Sequence, residues 1–91
     1  RVMSRTLIKG AEAASPTSTG AASTFGSATV VRLVNTDTSA HLVTLVEEAS
    51  GTVVGSFTMP AGSVEFLEKV STYAIFAANA GVKGAAAGFT D

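Results

Sequence analysis

From Thr29 onward the chain breaks into short apolar runs separated by turn residues. "TVVRLVNT" (29–36) is β-branched and apolar and stops at the Asn-Thr-Asp-Thr-Ser cluster of 35–39. "AHLVTLVEEA" (40–49) follows and ends at the Ser50-Gly51 turn dipeptide. In "TVVGSFTM" (52–59), Val53, Phe57 and Met59 fall on one face and Val54, Ser56 and Thr58 on the other, with Gly55 placed where a bulge or a close backbone approach fits. Pro60-Ala61-Gly62 breaks the run. "SVEFLEKV" (63–70) sets Val64 and Phe66 against Glu65 and Leu67, and "TYAIFAAN" (72–79) and "VKGAAAGFT" (82–90) complete the series around Ala80-Gly81. Leu42, Leu45 and Val46 are compatible with a helix over 40–49, but the punctuation on either side is too close for one. Regular short strands with turn signals predict an all-β chain, an antiparallel sandwich or small barrel. The interior candidates are Leu33, Leu45, Val53, Phe57, Phe66, Ile75 and Phe89, one face per strand. The small residues of "GAAAG" (84–88) predict a last strand that is either tightly covered or a contact edge.

Residues 11–28 have a different texture. All but Glu12, Pro16 and Phe25 are Ala, Ser, Thr or Gly. Such a segment offers little apolar area against its ordering entropy, so it reads as an extended arm. The chain thus divides into an N-terminal arm (1–28) and a β-sandwich domain (29–91). Ahead of the spacer, "RTLIKG" places Leu7 and Ile8 between Arg5 and Lys9, and a further strand is expected over 5–9. An apolar tip on a flexible spacer suits strand addition to a neighbouring subunit. Arg5, Thr6, Leu7, Ile8 and Lys9 are therefore the candidate partner-binding residues. Met3 is a candidate start of translation.

Composition sharpens this picture. Charged residues make up 14% of the 91 positions, against roughly 25% in ordinary soluble domains, which points to a surface partly covered by a partner. The absence of cysteine implies a reducing origin or stabilisation by assembly. No apolar run approaches the ~20 residues of a membrane helix, and a net charge of −1 gives no global pull toward nucleic acid or an anionic membrane. Arg1, Arg5 and Lys9 make the tip basic, while Asp37, Glu47, Glu48, Glu65 and Glu68 make the middle acidic, so one tip complements another subunit's middle strands.

Little in the chain carries chemistry. His41 is the single histidine and reads as a surface or hydrogen-bonded structural residue, because it lacks the companions that zinc ligation or a catalytic triad requires. Glu47-Glu48 and the Glu65/Glu68 pair fall on opposite faces of regular strands and read as solvated charges that discourage edge aggregation. Asp37 and Glu47 are oxygen donors for calcium only in principle, since no acidic calcium loop surrounds them. The expectation is a non-enzyme without cofactor or metal.

The segment 30–70 resembles small β-sandwich structural proteins of tailed bacteriophages, marine and cyanobacterial ones in particular. The resemblance lies in an opening strand ending in Val34-Asn35-Thr36, an acidic or polar strand, the Pro60-Ala61-Gly62 turn and a closing Glu68-Lys69. It implies an immunoglobulin-like or jelly-roll-like sandwich and a virion component, a head-decoration (cement) protein of the capsid surface made in the host cytoplasm. Its partners would be the major capsid protein or other virion subunits, with self-association in a lattice. The alternatives are a neck, tail or fibre component, or a cell-surface module that binds carbohydrate or protein.

Overall fold

The computed structural model describes residues 5–90, with side chains from 7 to 88. Eight strands run in chain order: β1 (Arg5–Ile8), β2 (Ala13–Ala14), β3 (Val30–Asn35), β4 (His41–Val46), β5 (Val53–Met59), β6 (Val64–Glu68), β7 (Ala74–Ala77) and β8 (Val82–Thr90). They form two packed antiparallel sheets, a small β-sandwich. One sheet has the order β1-β8-β3-β6, with β2 also on β8; the other has the order β5-β4-β7. All six strands expected between 29 and 90 form, as does the strand near the N-terminus. The two-residue β2 has no signal in its alanine-rich surroundings.

The turns form where the sequence marks them. Ser50 (φ 61°) and Gly62 (φ 74°) take left-handed backbone, at the Ser50-Gly51 and Pro60-Ala61-Gly62 turns respectively. Glu47 and Glu48 lie in the turn after β4 rather than on a strand. The expected irregularity near Gly55 is a register shift between Leu45 and Val46: Leu45 faces Gly55, Val46 faces Val53, and Val54 is the extra residue.

The interior is read most clearly from β3, where Val31, Leu33 and Asn35 are fully buried and alternate with half-buried Val30, Arg32 and Val34. Val43, Met59, Ile75, Ala77, Val82 and Phe25 complete the core, with Leu45 and Phe57 packed at its margin. Leu33 and Ile75 are interior as expected. Phe66 and Val53 are not: Phe66 is 40% exposed and Val53 59%. The division of β6 into two faces holds, but the inward face is the other one. Phe66 pairs with Arg32 on the outward row, and Leu67 pairs with buried Val31. Val53 lies beyond the bulge, where the alternation that makes Met59 inward no longer applies. The side chain of Phe89 falls outside those described.

Residues 11–28, expected to extend from the body, run along it. After β2, Ser15 donates its N–H to Val82 O (2.8 Å) and Pro16 O accepts from Ala77 N (2.9 Å), so the chain crosses from one sheet edge to the other. Beyond a 3-10 turn (Thr19–Ala21), Ser23 and Ile75 exchange both backbone hydrogen bonds. Phe25, Gly26 and Ser27 then take left-handed backbone in succession. Left-handed backbone costs roughly 1–2 kcal/mol in a residue such as Phe25. Its ring is 9% exposed and belongs to the core, which offsets that cost. Composition suggests that this stretch has nothing to bury; one aromatic, placed by three turn residues, is enough to hold it. Gly84 of β8 makes the seat, since a Cβ there would stand 2.8 Å from Phe25 Cε1 and 3.0 Å from Leu33 Cδ2. The "GAAAG" strand is thus the tightly covered alternative, paired on both edges.

Candidate interaction surface

β1 lays the five residues singled out in the arm along the edge of this chain's own β8. Arg5 pairs with Thr90, Thr6 with Phe89, Leu7 with Gly88 and Ile8 with Ala87. Lys9 N–H donates to Ala86 O at 2.8 Å. The side chains of Arg5 and Thr6 lie outside those described. Leu7 and Ile8 stay 46% and 55% exposed although their backbone is paired. Lys9 lies across Gly88, where a Cβ would come within 2.9 Å of its Cε. A groove of about 660 Å³ separates this strand from the Phe25 turn and is lined by Lys9, Gly10, Ala13, Phe25, Ser27 and Ala86.

Residues directly opposite in an antiparallel pair share a face, so the registers map the outer face of the larger sheet. Ile8, Ala87, Val30 and Glu68 form one row; Ala85, Arg32 and Phe66 form the next; Lys83, Val34 and Val64 form the third. Ala85 and Ala87 are buried between taller neighbours, while Ile8, Phe66 and Val64 project and are exposed. The result is a face of projecting apolar side chains with Arg32 near its middle and Glu68 and Lys83 at the ends of the outer rows. Arg32 Nη1 lies 3.8 Å from Glu12 Oε2 with both side chains part-exposed, an arrangement worth little in water. The smaller sheet ends in β5, an edge that no strand pairs among the described residues, seven residues long and without a charge. Edge strands of that kind are ready templates for pairing.

His41 and Asp37 are partners of one another. His41 Nε2 meets Asp37 Oδ2 at 2.6 Å. That hydrogen bond, followed by the Thr38 N–H, holds the Asp37 carboxyl below its ordinary range. Asn35, fully buried, donates to Ser39 O and Met59 O at 2.9 Å each and accepts from Asp37 N–H at 3.0 Å, so it ties the 35–41 loop to the end of β5. Among the described residues no three His, Asp or Glu side chains converge on a point that could hold a metal ion.

Lys69, named above only in the closing Glu68-Lys69 pair, holds a structural position. It is 7% exposed, and its Nζ donates to Ala28 O at 2.6 Å. Burial pushes its ammonium below the ordinary lysine range. Together with the Lys69 N–H, which donates to Thr29 O (2.8 Å), it clamps the point where the arm segment enters β3. A lysine just past the end of β6 gives no sign in sequence of which way it turns. Beside it Leu45, Val54, Val70 and Tyr73 border an open groove of about 550 Å³.

Comparison with protein-family models, curated proteins and solved structures found no match for this chain.

Proposed function

We propose that the chain is a structural subunit that works through its surfaces: a virion protein, and specifically a capsid decoration subunit that bridges neighbouring subunits. The observation that carries this reading is the outer face of the larger sheet, where Ile8, Val64 and Phe66 project around a floor of Ala85 and Ala87. An exposed apolar sheet face of this kind marks a contact surface. Its single arginine suits a partner that offers a carboxylate or backbone carbonyls at that spot. The bacteriophage assignment comes from the resemblance over residues 30–70, and the major capsid protein or another virion subunit is the partner it names.

Quantitative mass spectrometry of purified particles tests this. A copy number comparable to that of the shell protein supports decoration. A few copies per particle moves the chain to the neck or tail. Absence from particles overturns the virion reading.

A further inference from the structure

We propose that β1 is an exchangeable strand: at high local concentration Arg5–Ile8 leaves its own β8 and pairs, in the same register, with β8 of a second copy of the chain. The inference rests on the structural-subunit reading for its purpose, and on the geometry of β1, its seat and its connection to β2 for its mechanism.

The connection between β1 and β2 carries slack. Ile8 faces Ala87 and Ala13 faces Gly84, so the arm advances five residues while β8 advances three. The surplus is a short exposed loop around Gly10, Ala11 and Glu12. Residues 9–12 drawn out span about 13 Å, enough to pass to an abutting edge without disturbing anything beyond β2. The chain after β2 is anchored independently, by Ser15 on Val82, Pro16 on Ala77, Ser23 on Ile75 and Phe25 in the core. Exchange therefore involves β1 and the 9–12 loop, with the Lys9 N–H bond to Ala86 O and the Glu12 contact with Arg32, and nothing beyond β2.

The seat is generic where it is described. β1 pairs with Thr90, Phe89, Gly88 and Ala87, and where side chains are described, at Leu7 and Ile8, the partners are the small residues Gly88 and Ala87. Leu7 and Ile8 bury only about half of themselves at home. A second copy presents an identical seat, so every hydrogen bond lost in leaving is regained on arrival. Such exchange of an identical element is a low-cost route to association. The balance is then set by concentration. A short linker holds β1 at an effective concentration on the order of millimolar. In micromolar solution β1 stays at home; packed on a lattice, neighbouring copies compete on equal terms. The surface expected to engage a partner and the strand seen closing the monomer are thus one element in two states.

The absence of cysteine makes the test clean. Two chains are prepared, one Ile8→Cys and one Ala87→Cys, the two outward positions that face each other. They are mixed, equilibrated from micromolar to millimolar concentration and oxidised. Exchange predicts a disulfide-linked heterodimer that rises with concentration and reaches half conversion near the millimolar range, together with far less homodimer from either chain alone. No heterodimer at millimolar concentration, while a chain carrying both cysteines oxidises within itself, overturns the proposal. Homodimers forming as readily as heterodimers also overturn it, because the cross-link then reports random collisions. If Ala87→Cys disturbs the sheet, isotope-filtered nuclear Overhauser contacts between Ile8 and Ala87 in a mixture of labelled and unlabelled unmodified chains read the same exchange. Their absence at millimolar concentration refutes it. Neither readout depends on particles, so failure here and failure of the virion reading are separable.

Discussion

The contact between Phe25 and Gly84 gives the sharpest test of how the arm segment is held. In Gly84→Ala the new Cβ lands 2.8 and 2.9 Å from two ring carbons of Phe25 and 3.0 Å from Leu33 Cδ2. Both neighbours are buried, at 9% and 0% exposure, so neither swings freely aside. Overpacking of this kind costs about 1–3 kcal/mol. Losing a strand glycine returns about 0.5–1 kcal/mol of backbone entropy, which leaves a net destabilisation between about zero and 2.5 kcal/mol. Phe25→Leu trims the ring instead and costs about 1–2 kcal/mol in buried apolar area. The double variant should cost less than the sum, because the alanine methyl then occupies space the ring has vacated. Urea denaturation at constant slope measures all four corners of the cycle. A coupling of about 1 kcal/mol or more in the compensating direction is expected, well above the ~0.5 kcal/mol scatter of independent sites. Additive costs would show that Phe25 does not sit on β8 and that the arm segment is held by backbone pairing alone.

Asn35→Ala removes two donors and an acceptor from a fully buried position and breaks the bonds to Ser39 O, Met59 O and Asp37 N–H. A loss of about 2–4 kcal/mol, seen as a lower urea midpoint, is expected from the net worth of such bonds and the cost of leaving partners unmade. Asn35→Asp keeps only the bond from Asp37 N–H and should recover little of it. Asp37 has a depressed folded pKa, caused first by the His41 hydrogen bond. Its contribution is therefore present above the ordinary carboxylate pKa and lost as pH falls through the folded value. The stability gap between the unmodified chain and Asp37→Asn should close on acidification below about pH 4, in urea titrations across pH; a gap that widens there contradicts the pairing. His41→Ala should narrow the same gap while leaving self-association unchanged, as analytical ultracentrifugation can verify.

The strands β3 to β7 are legible in the sequence because they are short, rich in β-branched or aromatic residues, and stopped by turn residues, among them Ser50 and Gly62 with left-handed backbone. Which face of β6 turns inward is not legible. Val64, Phe66 and Leu67 are all apolar, and only pairing with Arg32 and Val31 decides among them. A bulge likewise hides Val53's position, since one extra residue reverses the parity of the strand beyond it. That residues 15–25 pack on the body is not legible for a quantitative reason. Summed apolar area is a sound guide to whether a segment folds alone, but a segment that borrows another strand's edge needs only backbone partners and one anchor. Val82, Ala77 and Ile75 supply the partners, and Phe25 is the anchor. Of the candidate interaction residues, sequence locates the strand correctly. That it has a home on its own chain is invisible, because β8 is an alanine-glycine run whose value lies in its backbone.

The placement of β8 between β1 and β3 sets an order of events for a folding chain. β4 and β5 are joined by a short turn and close first, and β7 can join them before residues 82–90 are in play. The larger sheet has no such start. β3 reaches β6 only across the whole β4–β5 hairpin, and its other edge stays open until β8 arrives. Pairing Leu7 with Gly88 then closes a loop almost as long as the chain, the kind of distant closure that slows folding. On a ribosome, β3 therefore waits with a bare, valine-rich edge, which is a window for mispairing between nascent chains. The composition of the late strand limits the hazard from its own side: a Gly-Ala-Ala-Ala-Gly run makes a poor dry zipper and becomes a good strand only when a finished sheet edge is there to receive it.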